Sequence, residues 1–125
     1  MKIEKRYIVP IVEFIDKLNL KGRASLGRTK LKNLLLEKQE TITTDQSEAI
    51  TEYDGWTDKE TGKYKTDIPE LNKALQDLLT QEVEIDFDSP FKKDFKEALE
   101  EYTEELSGLD ADIYALLYEK IEENE

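Results

Sequence analysis

The sequence predicts a mainly helical domain of the α+β class, with about five helices, one of them long, and a minor two-stranded β element. Apolar residues recur at helical spacing through most of the chain, as in Phe91, Phe95 and Leu99. Two short segments, 3–9 and 82–87, have the character of strands. The 125 residues fit a single domain, 1–125, which is long enough to bury a core.

The N-terminal segment 2–9 contains isoleucine, valine and tyrosine, and we interpret it as a short strand or an extended lead-in. Pro10 is expected at the first position of a helix, where its missing N–H costs nothing. Apolar residues at helical spacing predict that this helix covers 10–19. Gly22 can adopt the left-handed conformation that ends helices, so it is the expected stop.

A second helix is predicted over roughly 25–53, because its leucines and isoleucines keep near-heptad spacing. Its weak point is 41–45 (TITTD), since threonine is a poor helix former. Asp45 and Glu48 could form a capping box that starts a new helix there. One long helix is favoured over two.

The loop 54–64 is the most polar part of the chain and could form a small hairpin turning at Thr61-Gly62. It nevertheless contains Trp56, the only tryptophan, and Tyr64. The favoured interpretation is that both aromatic side chains pack on the long helix, as large aromatics mostly do. The alternative is an exposed aromatic contact for a partner.

Pro69 is expected to open a third helix. Polar and apolar residues alternate over 82–87, which predicts a strand with one solvent-facing side. This strand could pair with 3–9, provided that helices cover the resulting two-stranded sheet.

Ser89 and Pro90 are interpreted as the cap and first residue of a fourth helix, which runs to about 106. Gly108 is expected to close that helix. Asp110 is expected to cap the last helix, whose isoleucines and leucines face inward.

The composition excludes several kinds of chemistry. The chain contains no Cys and no His, which removes thiol nucleophiles, imidazole catalysis and nearly all zinc sites. No nucleophile–base pair or metal-ligand set can be assembled, so we expect neither enzymatic activity nor a cofactor. No apolar run approaches the ~20 residues of a membrane helix, and the first residues do not form a signal peptide. A membrane partner is therefore not expected.

The net charge of −12 is unevenly distributed: residues 17–36 hold six bases and no acid, whereas 97–125 hold eleven acids and one base. The basic candidates for an interaction surface are Lys21, Arg23, Arg28, Lys30 and Lys32. The favoured interpretation is that they meet the acidic C-terminal helices, within one molecule or between two. The alternatives are an acidic protein partner and, behind it, nucleic acid. The acidic net charge and the lack of nearby aromatics oppose nucleic acid.

Residues 22–29 (GRASLGRT) have the spacing of a phosphate-binding loop, with Arg28 in the place of the lysine. Such a loop follows a buried strand, whereas this segment follows a predicted helix. The chain also has no room for the parallel sheet that hosts the motif. Nucleotide binding is therefore not expected, and Gly22 and Gly27 are interpreted as allowing a tight turn at a helix junction.

The acidic candidates are Glu97, Glu101, Glu104 and Glu105, which the predicted fourth helix would present on one face. Exposure to solvent is the default for carboxylates opposite an apolar stripe. The sharper alternative is a phosphate-mimicking ridge that occupies the DNA channel of another protein. This alternative requires a continuous exposed ridge lying away from the basic stretch.

Residues 18–31 (LNLKGRASLGRTKL), the lead-in before them, and residues 105–118 (ELSGLDADIYALLY) resemble a small family of unknown function. Its members are encoded by phages and prophages of low-GC Gram-positive bacteria. The resemblance covers most of the chain and implies a phage accessory protein working in the bacterial cytoplasm. It carries no catalytic residue.

The sequence therefore predicts a non-catalytic phage accessory protein that binds a protein partner, either a phage structural component or a host factor. A DNA-mimicking inhibitor of a host nuclease or defence complex is one alternative. A nucleic-acid-binding protein that uses 17–32 is the other. The exposed face of the long helix could form the seam of a homodimer.

Overall fold

The computed structural model describes residues 1–53, 68–102 and 104–122, together with the backbone of 56–57 and 64–65. The elements in chain order are β1 (Lys2–Glu4), a 3-10 turn (Lys5–Tyr7), α1 (Ile8–Asp16), α2 (Gly22–Glu52), β2 (Trp56–Thr57), β3 (Tyr64–Lys65), α3 (Pro69–Thr80), β4 (Glu82–Glu84), α4 (Lys92–Glu100) and α5 (Gly108–Glu122). The described residues are mainly helical with a minor antiparallel element between the chain start and β4, which confirms the predicted fold class.

The predicted pairing of the N-terminal strand with the 82–87 segment is confirmed. β1 runs antiparallel to β4 and Ile3 stands opposite Val83. The extended lead-in is shorter than predicted, because α1 already begins at Ile8 and Pro10 is its third residue. That position suits proline equally well, since the first four N–H groups of a helix have no acceptor within the helix.

The single long helix is confirmed, and it covers 31 residues. Its threonines do not interrupt it: the Thr44 hydroxyl donates to the carbonyl of Glu40 inside the helix. Ile42 in the same segment is 2% exposed, so burial of this side chain stabilises the helix where propensity is weakest. Tertiary packing therefore outweighs the local preference of threonine.

The first half of α2 packs between α1 and α4 and contributes Leu31 and Leu35 to the main core. That core also contains the inward residues of β1, α1, α4 and α5 and the two residues after β4, Ile85 and Phe87. The second half of α2 meets α3 in a smaller cluster around Ile50. α2 thus connects two apolar clusters, and only the larger one adjoins the charged surfaces described below.

The predicted boundaries of the fourth and fifth helices were wrong. α4 begins at Lys92 after a turn in which the Ser89 hydroxyl accepts the N–H of Phe91, so Ser89 does not cap the helix directly. α4 ends at Glu100 rather than near 106. Gly108 does not close α4; it has a φ of +57° and is the first residue of α5. The connection between the two helices bends the chain so that α5 can pack on α1.

None of the helices in the described residues combines the length and the apolar character needed to cross a membrane.

Candidate interaction surface

An open cleft of about 580 Å³ lies between the start of α2 and the outer face of α4. The basic side of the cleft carries Lys21 and Arg23, and the acidic side carries Glu97, Glu101 and Glu104. Between them lie the small apolar side chains of Ala24 and Ala98, with Leu20 at the end of the α1–α2 connection. The fold therefore brings together residues of both charge sets that the sequence singled out.

Arg23 joins the two walls of this cleft. Its Nε donates to Oδ2 of Asp94 at 3.1 Å, and its guanidinium carbon lies 5.1 Å from the centre of the Phe91 ring. The pair is largely exposed, so its contribution to stability is small. Its geometric effect is larger, because the cation–π contact and the ion pair together hold the guanidinium against α4.

The acids do not form the predicted row on one helix. Glu97 is on α4 and Glu101 follows its last residue, whereas Glu104 and Glu105 belong to the connection to α5. Glu97 and Glu101 are exposed in the cleft, and Glu105 is exposed but does not line it. The carboxylates of the cleft face Lys21 and Arg23, so they do not make a ridge that lies away from the basic stretch.

Tyr102 is the aromatic residue of the cleft. Its hydroxyl donates to Oε2 of Glu104 at 3.1 Å, and its ring lies 6.2 Å from that of Tyr114, centre to centre. Burial, and then the hydrogen bond and charge of Glu104, raise the pKa of the Tyr102 hydroxyl above 10.0. The phenol therefore stays protonated at neutral pH and acts as a hydrogen-bond donor beside the carboxylates.

The Tyr114 hydroxyl donates to the carbonyl of Leu99 in the last turn of α4, and the Tyr114 ring stacks with that of Tyr118 at 6.3 Å. Phe14 of α1 meets the Tyr114 ring edge-on at 6.3 Å. This aromatic series ties α5 to α1 and to the end of α4. Because Tyr102 also contacts the Tyr114 ring, the side of the cleft that carries Tyr102 is packed against this series.

The other basic candidates do not converge on the cleft. Arg28 is half-buried and donates to the carbonyl of Leu18 and to the Ser25 hydroxyl, which ties the α1–α2 connection to α2. Lys32 pairs with Asp16 at 2.8 Å. Lys30 has no ion pair within the part of the chain that the structure describes.

The expected match between the basic stretch and the acidic C-terminal stretch is present in one ion pair, Lys17–Asp110, whereas Arg23 and Lys32 pair with acids outside that stretch. Lys17 pairs with Asp110 at 2.9 Å, and Arg23 pairs with Asp94. Asp94 and Asp16 lie outside the acidic C-terminal stretch, on α4 and α1. No periodicity marks Asp94 as the partner of Arg23, because the two residues are 71 positions apart in the chain.

Gly22 and Gly27 have different structural roles. Gly22 has a φ of +53° at the start of α2, the left-handed conformation predicted for it, although it opens α2 rather than ending α1. Gly27 lies inside α2 and is buried against α4, so its interpretation as a turn residue was wrong. The segment therefore has none of the strand–loop–helix geometry that would cradle a phosphate.

The aromatic candidates Trp56 and Tyr64 lie in adjacent antiparallel strands, in which Trp56 is opposite Lys65 and Thr57 is opposite Tyr64. The predicted hairpin is thus present in the backbone. Its turn at Thr61-Gly62 and the contacts of the two aromatic side chains lie outside the described residues.

Within the described residues no cluster of three or more Asp or Glu side chains has the arrangement of a metal site. The cleft itself offers charged groups, hydrogen-bonding groups and a little apolar surface.

No family model, no curated protein and no solved structure matches this chain.

Proposed function

We propose that this chain is a non-catalytic accessory protein that acts by binding a protein partner through the α2–α4 cleft. The observation that carries the proposal is the convergence of Lys21 and Arg23 with Glu97 and Glu101 around one concave surface. The resemblance of 18–31 and 105–118 to a phage and prophage family supports a role in the cytoplasm of a bacterial host. On that basis the partner is a phage structural component or a host factor.

The cleft favours a partner segment that carries a basic side chain. Arg23 already neutralises Asp94, and Glu104 accepts a hydrogen bond from Tyr102. Glu101 has no ion pair in the described residues, and Glu97 has only a 3.9 Å contact with the exposed Lys93. An incoming arginine or lysine would pair with these two carboxylates while its alkyl stem covers the alanines of the cleft floor.

Nucleic acid ranks behind a protein partner for an electrostatic reason. Arg23, Lys32 and Lys17 are paired with aspartates, and Arg28 is tied to the backbone. To neutralise phosphates these cations would have to leave their present partners, which reduces the gain from counterion release. The cleft acids would also repel a phosphate backbone.

A DNA-mimicking inhibitor is a narrower alternative within the same class of protein binders. Such a surface needs an uninterrupted run of negative charge. Here Lys21 and Arg23 face the carboxylates, and Glu105 lies outside the cleft, which supports a mixed-charge protein interface instead.

The test is an affinity capture from host lysate, with and without phage infection, at low and moderate salt and after nuclease treatment. We compare the wild type with the double variant Glu97→Lys/Glu101→Lys. The matched control is Glu37→Lys/Glu40→Lys, which makes the same charge change on the exposed face of α2.

We expect a discrete protein that survives nuclease, is retained by the control and is lost from the cleft variant. If the cleft variant and the control variant captured equal amounts of the partner protein, the cleft would not be the binding surface. Recovery of nucleic acid, or loss of every partner after nuclease, would shift the function to nucleic-acid binding through 17–32.

A further inference from the structure

The outer edge of β4 has no backbone partner among the residues that the structure describes. The Ile85 N–H donates to the Met1 carbonyl, and the Met1 ammonium donates to the Ile85 carbonyl, each at 2.7 Å. Bonded and non-bonded pairs alternate along an antiparallel ladder, so Glu84 and Glu82 belong to non-bonded pairs. The N–H and C=O groups of these two residues therefore point away from β1. None of these four groups has a hydrogen bond within the described part of the chain.

β4 is the more open strand of the two. Val83 is half-buried, whereas Ile3, which stands opposite it, is 1% exposed. β1 offers a shorter edge, because the chain enters the 3-10 turn at Lys5. After β4 the alternation of the strand continues, with Ile85 buried and Asp86 exposed. An open strand edge of this kind is a template for one more strand.

The side chains on the solvent face of β4 determine which strand fits beside it. Glu82, Glu84 and Asp86 are all exposed there. Glu82 and Asp86 have no ion pair within the described residues, and Glu82 stands opposite another acid, Glu4. Glu84 accepts the Met1 ammonium at 3.1 Å, yet its side chain remains 60% exposed. The face beside the free edge is therefore acidic.

The nearby cations lie on the other side of β4. Lys2 stands opposite Glu84 on β1, and Arg6 pairs with Glu4. A strand added at the free edge would lie about 4.8 Å from β4 and roughly twice as far from β1. Its side chains would therefore meet the acids of β4 first. Opposite charges on neighbouring strands stabilise the pairing, and like charges oppose it.

We infer that the free edge of β4 binds an extended segment of a partner protein in which basic residues alternate with apolar ones. The backbone of the segment bonds to Glu82 and Glu84, as in other cases of strand addition. Its basic side chains lie beside the acids of β4, and its apolar side chains extend the inner face beside Val83. None of these residues lines the α2–α4 cleft, so the inference does not depend on the function proposed for the cleft. The contact is short, so binding is weak and sensitive to salt.

The first experiment titrates the full chain with an eight-residue peptide of alternating lysine and valine, up to about millimolar concentration. Amide chemical shifts of Glu82, Val83 and Glu84 should change, and the binding should weaken as salt is added. The matched peptide has four lysines followed by four valines, which keeps the charge and the composition. It should bind at least about fivefold more weakly, because it cannot place a base at every second position. Equal affinity for the two peptides, no change in shifts, or changes confined to other surfaces would overturn the inference.

Two variants of one residue separate the backbone bond from the charge. Glu82→Pro and Glu82→Gln both remove the same carboxylate, but only proline also removes the outward N–H. Proline suits this position because Glu82 is the first residue of β4, and because the preceding Gln81 has a φ of −66° and a ψ of 142°. The proline variant should bind the alternating peptide about fivefold more weakly than the glutamine variant, which corresponds to one hydrogen bond. Equal affinity of the two variants would overturn strand addition.

Dilution of the protein without peptide tests the other occupant, a second copy of the chain. Pairing of two β4 edges would place acids against acids, so the amide shifts of Glu82 and Glu84 should not depend on protein concentration. Concentration-dependent shifts at these residues would make a second copy the occupant and overturn the inference.

Discussion

Gly27 of α2 and Phe91 at the start of α4 touch through their backbones: a Cβ on Gly27 would stand 2.6 Å from the Phe91 carbonyl oxygen. The same Cβ would lie 2.8 Å from Cβ of Phe95, which is fully buried. Glycine is therefore needed at this position for close approach, although it is a weak helix former. The contact holds α4 against α2 and thereby positions the cleft between the two helices.

We expect Gly27→Ala to destabilise the protein by about 1–3 kcal/mol, because the added methyl group meets backbone that cannot rotate away. Higher helix propensity would recover up to about 1 kcal/mol of that loss. Urea unfolding followed by circular dichroism measures the balance. Asn33→Ala, at an exposed position of the same helix, is the control and should change stability by less than about 0.5 kcal/mol. A Gly27→Ala variant as stable as the wild type would contradict the packing described here.

Arg28 and Lys30 are two residues apart on α2, yet their replacement should have very different effects. Arg28→Ala leaves the carbonyl of the buried Leu18 without its side-chain donor and should cost about 1–3 kcal/mol. Lys30→Ala removes an exposed side chain and should cost less than about 0.5 kcal/mol. Equal unfolding midpoints for the two variants would show that Arg28 is not the structural tie that its contacts indicate.

Stability should fall at alkaline pH because of Tyr102 and Tyr118. Burial raises the pKa of both hydroxyls above 10.0; Glu104 adds to the effect at Tyr102, and Glu100 adds to it at Tyr118. The unfolded chain then loses these protons first, so stability is complete below about pH 10 and declines as the pH rises through the higher folded-state pKa.

The double variant Tyr102→Phe/Tyr118→Phe should flatten this decline in urea unfolding between about pH 9 and pH 11. Tyr53→Phe, at a residue that is 37% exposed, is the matched control and should leave the decline as it is in the wild type. A decline that is the same in all three proteins would assign it to other groups.

Moderate salt should raise the melting temperature. The net charge of −12 causes self-repulsion, which salt screens. Salt also weakens the ion pairs of Arg23, Lys17 and Lys32, but these pairs lie near the surface and contribute little stability, so little stability is lost. Calorimetry between ~0.01 M and ~0.15 M salt measures the difference. Glu37→Gln/Glu40→Gln removes two exposed acids and should reduce the increase, while a melting temperature that falls with salt would show that the ion pairs dominate.

Local patterns predicted the elements that have long, regular apolar spacing. A single long helix, predicted over roughly 25–53, is found at Gly22–Glu52, and the predicted pairing of the N-terminal segment with 82–87 is found between β1 and β4. The end of α4 was misplaced because Tyr102 and Leu106 continue the spacing of Phe91, Phe95 and Leu99 after the helix has ended. Both residues still pack on the core, from a connection rather than from a helix.

The sequence by itself determined what this protein lacks and where its charges lie along the chain. The absence of His and Cys and the basic stretch 17–36 are facts of composition and order. Only the tertiary structure decided which charges meet, since Arg23 pairs with Asp94 across 71 positions and Lys17 with Asp110 across 93. It also decided the role of Gly27, because a glycine in a turn and a glycine under a crossing helix look the same in sequence. Such contacts arise from the packing of distant elements, which local periodicity does not encode.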